Sequence, residues 1–70
     1  MTKEFTVNDM SCQHCVTTIT TEVARVPGVQ AVTVDLERKQ VTVNADEQVA
    51  PETIVGAINE AGYTEVTVLS

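Results

Sequence analysis

The apolar residues of this chain fall into two spacings that alternate along its length. In residues 3–8, Phe5 and Val7 alternate with polar neighbours, the pattern of a half-buried strand. A polar turn follows. Val16, Ile19, Val23 and Val26 then recur at steps of three or four, which is helical spacing. Thr17, Thr18, Thr20 and Thr21 are poor helix formers, but the apolar period outweighs them, and Pro27-Gly28 is expected to stop the helix. Alternation returns in residues 29–36, with Val32 and Val34 on one face. It recurs at Val41 and Val43 after the turn Glu37-Arg38-Lys39. Asp46 and Glu47 mark a loop. Pro51 suits the first position of a second helix and Glu52 its positive end. Ile54, Ala57, Ile58 and Ala61 form that helix's apolar stripe, and Gly62 is placed to cap it. Val66 and Val68 alternate in a last strand.

The predicted order is strand, helix, strand, strand, helix, strand, two strand–helix–strand halves with no linker between them. Their compact arrangement is α+β: a ferredoxin-like βαββαβ sandwich, with a four-stranded antiparallel sheet and both helices on one face. The other face is expected to meet water, because Thr, Glu and Gln stand between the valines. Residues 1–70 are expected to form one domain. With one Phe, one Tyr and no Trp, the core has to be built from Val, Ile, Leu and Ala.

Charge and composition narrow the function classes. Four basic and ten acidic residues give a net charge of −6, which repels nucleic-acid phosphates and anionic lipid headgroups. RNA recognition would also need stacking aromatics. A cationic patch on a protein partner would be attracted. The N-terminal run Met1-Thr2-Lys3-Glu4-Phe5-Thr6 has no apolar signal region, and no segment is apolar over a membrane-spanning length. The chain is therefore expected to be a free-standing cytoplasmic protein, starting at Met1 and ending at Ser70 just past the last strand, with no nucleic-acid partner and no direct membrane binding. No Ser-His-Asp set, glycine-rich phosphate loop or paired carboxylates occur, so no enzyme is expected. Asp35, Glu37, Asp46, Glu47, Glu52, Glu60 and Glu65 read as a solvated surface.

The chemistry concentrates in Met10-Ser11-Cys12-Gln13-His14-Cys15. Two cysteines this close cannot staple distant parts of a fold, and in a reducing compartment such a pair reads as metal-binding or redox-active. The pair falls where the first strand hands over to the first helix, with Cys12 on the loop and Cys15 in the first helical turn. Unpaired backbone N–H groups and the positive end of the helix favour a thiolate there, and metal capture near neutral pH requires one. Structural Zn(II) wants four ligands, whereas Cu(I) is soft and is satisfied by two sulfurs. Ser11 is placed to cap the helix through its hydroxyl. Met10 is expected to pack beneath the loop, the alternative being a thioether ligand. His14 points away from the pair and is expected to be exposed, tuning the thiolate charge; its alternative is ligation across a metal-bridged dimer.

The motif Met10-Ser11-Cys12-Gln13-His14-Cys15, together with Pro27-Gly28-Val29, Val32-Thr33-Val34-Asp35-Leu36 and Ala61-Gly62-Tyr63, resembles the heavy-metal-associated domain, and within that family the bacterial copper chaperones. The resemblance runs from Phe5 to Val66. It implies a cytoplasmic copper chaperone in which Cys12 and Cys15 hold Cu(I) at an exposed loop. The ion would pass by ligand exchange to a copper-transporting P-type ATPase, to a metal-binding domain of it, or to a copper-responsive repressor. It also implies that Met10 faces inward and that the loop of Tyr63 lies beside the metal. There the phenol would shield the ion or hydrogen-bond a sulfur, or simply cover the helix end. Asp9 stands where the family usually has Gly. Asp tolerates a positive φ better than most residues, and its charge is expected to raise the thiol pKa values slightly. A Zn(II), Cd(II) or Hg(II) module of the same fold and a thiol–disulfide redox protein remain alternatives. Zinc-selective relatives often carry an acidic residue directly before the first cysteine, and Ser11 in that position favours copper. A monomer that forms a metal-bridged homodimer fits an exposed dithiolate.

Overall fold

The computed structural model describes residues 2–69; Met1 and Ser70, on which the expectation of a free-standing chain rests, lie outside them. Strand β1 spans Thr2–Val7, helix α1 Gln13–Ala24, β2 Val29–Asp35, β3 Gln40–Ala45, helix α2 Pro51–Glu60 and β4 Val66–Val68. The strands form one antiparallel sheet in the order β2-β3-β1-β4. This is the ferredoxin-like α+β arrangement expected from the sequence. Helix α1 packs over β2, α2 over β4, and the helices touch each other.

The period-two residues of the central strands make the floor of the core. Phe5 and Val7 of β1 and Val41, Val43 and Ala45 of β3 are buried beneath Ile19 and Val23 of α1 and Ile54 and Ile58 of α2. Phe5 sits opposite Val41 on one side and Val68 on the other, so the apolar positions share one face of the sheet. The alternate residues Thr33, Asn44 and Thr67 are exposed on the far face.

Helix α1 tolerates its threonines because each hydroxyl bonds back along the helix. Thr17, Thr18, Thr20 and Thr21 donate to the carbonyls of Gln13, His14, Val16 and Thr17 at 3.4, 3.0, 2.7 and 2.9 Å. The helix stops at Ala24 rather than running to Pro27. A residue preceding proline is disfavoured in the helical region, so Val26 leaves the helix and packs against the core from the following turn. Gly28 has φ +95, and a Cβ there would lie 2.6 Å from Val49 Cγ2. The turn is thus closed to any larger residue.

Candidate metal site

Three connections meet at the end of the sheet where β1 finishes: residues 8–12 before α1, 36–39 between β2 and β3, and 61–65 between α2 and β4. The Val7 N–H donates to the Lys39 carbonyl at 2.8 Å, and the Asn8 N–H donates to the Glu65 carbonyl at 2.9 Å. Lys39 holds a left-handed φ of 56, and its Nζ donates to the Asn8 carbonyl at 3.2 Å. The cysteine loop is therefore anchored from both neighbouring connections.

Cys12 is the N-cap of α1, with extended φ and ψ, and no side chain caps the helix. Ser11 is therefore not the cap; it lies one residue too early, and it acts through its backbone instead. Cys15 is in the first turn. The two sulfurs lie 3.4 Å apart, and both thiols are free. They are not equivalent. Cys12 is exposed, whereas Cys15 retains only 8 % of its surface and belongs to the core cluster. This corrects the expectation of two exposed thiolates: the helical position turns Cys15 inward, towards Ile19 one turn on.

Cys15 carries the electrostatic signature of the site. Its pKa is lowered from 9.0 to about 6, first by a hydrogen bond from the backbone of Ser11, then by the Tyr63 hydroxyl and the Cys12 thiol, against a smaller opposing effect of burial. Donors aimed at a sulfur favour its anionic form. The Tyr63 phenol is raised to about 12, chiefly because it donates to Cys15. The expected rise in thiol pKa from Asp9 is not among the causes acting on Cys15; the Asp9 charge falls on Tyr63 instead.

The Tyr63 position is a product of how α2 ends. Gly62 has φ +103, its N–H donates to the Asn59 carbonyl at 2.9 Å, and the Tyr63 N–H donates to the Ile58 carbonyl at 3.3 Å. This is the Schellman pattern, which requires a left-handed residue after the helix and turns the next side chain back over it. Tyr63 is half-buried against the core, and its hydroxyl is among the groups that lower the Cys15 pKa. Met10 is fully buried, and His14 is exposed. Asp9 does not take a positive φ. Its carboxylate accepts from the Thr64 N–H at 3.1 Å and the Glu65 N–H at 3.4 Å, a role the sequence did not signal. Among the described residues no group of three or more His, Cys, Asp or Glu side chains converges as a metal cluster. The donors this site offers are two sulfurs, one poised as thiolate.

The sequence profile of the heavy-metal-associated domain matches residues 4–64. The copper chaperone CopZ of Enterococcus hirae is 45% identical over 64 residues, covering 90% of this chain and 93% of that protein. Copper-transporting ATPase 1 of Mus musculus is 37% identical over 59 residues, covering 83% of this chain and 4% of the ATPase. The solved Atx1-Cu(I)-Ccc2a complex contains a chain of the same fold, with a TM-score of 0.84 and 25% identity, covering 99% of this chain and 94% of that one.

Proposed function

This chain belongs to the heavy-metal-associated domain family, and from that premise we propose that it is a copper chaperone that binds Cu(I) through Cys12 and Cys15 and passes the ion on by ligand exchange. The observation that carries the reading is the pair of free sulfurs 3.4 Å apart at an uncapped helix start. Two thiolates are a soft donor set, and Cu(I) accepts so few ligands. Holding the ion between them requires the sulfurs to part from their 3.4 Å contact. Cys12, exposed and free of the core, is the residue that moves; Cys15 stays anchored.

The same asymmetry orders the transfer. A thiolate of the acceptor attacks the bound ion from the exposed side, a three-coordinate arrangement forms, and the Cys12 sulfur is displaced before that of Cys15. No covalent bond of the protein is made or broken, so no enzymatic step is required. The acceptor is a copper-transporting P-type ATPase or its metal-binding domain, with a copper-responsive repressor as a further recipient. Similarity to a copper-transporting ATPase and to a chain of the Atx1-Cu(I)-Ccc2a complex supports this reading. The cytoplasm, whose reducing poise keeps both thiols free, is the compartment in which it would work.

Anaerobic Cu(I) titration with mass determination tests the proposal. The expected result is one Cu(I) per chain, or a metal-bridged dimer as copper is added. Equal Cu(I) affinity in wild type and Cys12→Ser would sink it. Tighter retention of Zn(II) than Cu(I) in a competition titration would move the reading to a zinc module of the same fold.

A further inference from the structure

Two loops more than fifty residues apart in the chain are joined beside the cysteines. The Asn8 N–H donates to Glu65, and the Asp9 carboxylate accepts from the N–H groups of both Thr64 and Glu65. Bonds thus run in both directions between the segment that leads into the cysteine loop and the segment that follows Tyr63. Tyr63 is held on its other side by the Schellman turn at Gly62. Without the carboxylate, the Thr64 and Glu65 N–H groups would turn to water, and the Asn8 bond would remain between the two segments.

We propose that Asp9 is a positioning residue: its carboxylate clasps residues 64–65 to the cysteine loop, holds Tyr63 over Cys15, and thereby slows the loss of bound metal to competing ligands. This rests on the copper reading above. Asp9 touches no sulfur; it acts through the loop that carries the phenol. Alanine is sterically admissible at this position because its φ is not positive.

The test has two parts. In the metal-free protein, amide hydrogen exchange is followed at Thr64 and Glu65. Asp9→Ala is expected to speed both on the order of tenfold, and Asp9→Asn, with one carbonyl acceptor left, to restore protection at one of them. In the Cu(I)-loaded protein, metal removal by excess bicinchoninate is timed. Asp9→Ala and Tyr63→Phe are each expected to accelerate it severalfold, and the double variant to be no faster than Tyr63→Phe alone, as two residues acting through one group should behave. Unchanged exchange at both amides, or accelerations that multiply in the double variant, would overturn the proposal. Failure of the wild-type protein to take up Cu(I) would bring down the copper reading and the metal-retaining role of Asp9 together. Cu(I) uptake with multiplying accelerations would bring down the role of Asp9 alone.

Discussion

Helices α1 and α2 occupy equivalent places in the two halves of the fold, yet they begin differently. Helix α2 starts with Pro51 at its first turn and Glu52 beside it, a residue with no N–H left in need of an acceptor and a charge that suits the positive end. Helix α1 starts at Cys12, with no acidic residue in its first turn and no side-chain cap. What α1 lacks in stabilising residues it offers as unpaired N–H groups, and the amides and phenol around Cys15 draw its pKa down to about 6. Neither start carries a side-chain cap; they differ in that α2 opens with a proline and an acidic residue suited to a helix start, whereas α1 opens with a pair of thiols.

The largest test of that contrast removes a sulfur. Cys15→Ser should lose Cu(I) retention by several orders of magnitude in competition with a chelator, because one thiolate cannot hold the ion alone. The equivalent change at the other helix start, Glu52→Gln, should leave retention unaltered. Equal losses would break the contrast.

Packing comes next. Ile58→Ala in α2 should cost about 2–5 kcal/mol in urea unfolding with metal binding kept at temperatures where the protein stays folded. Met10 is as deeply buried as Ile58, so Met10→Leu should cost less than about 1.5 kcal/mol and preserve Cu(I) affinity. A large loss of affinity without a loss of stability would make Met10 a ligand instead.

The pH dependence follows from Cys15. Its folded pKa is depressed from 9.0 to about 6, so the thiolate contributes stability that is fully present above pH 9 and is lost as pH falls through about 6. Alkylation of the metal-free protein by iodoacetamide, read at Cys15 by mass mapping, should show a midpoint near pH 6. Tyr63→Phe should move that midpoint upward by removing a donor. A midpoint near 9.0 in wild type would remove the basis for an anion-ready helix start.

The smallest change in stability is expected at the start of α1 itself. Cys12→Asp places an N-capping side chain at the extended position that begins α1. It should raise unfolding free energy by about 1 kcal/mol while abolishing metal retention. A variant no more stable than wild type would show that the open start is without cost.

The sequence alone determined the layout. Phe5, Val7, Val41 and Val43 alternate, and Ile19 and Val23, like Ile54 and Ile58, stand four apart, so each element's buried face was legible from periodicity. Pro51 and Gly62 marked the ends of α2 for the same local reason, since their backbone preferences act without tertiary help. Position in the chain also put Cys12 and Cys15 at a helix start. The tertiary structure decided what surrounds them. The inward turn of Cys15, the aim of Tyr63 and the clasp from Asp9 to residues 64–65 join segments distant in sequence. Local preference cannot specify such meetings, because they exist only once β1 and β4 pair and bring the two loops together. Ser11 shows the same boundary at short range: its residue type predicted a cap, but the backbone path begins the helix one residue later.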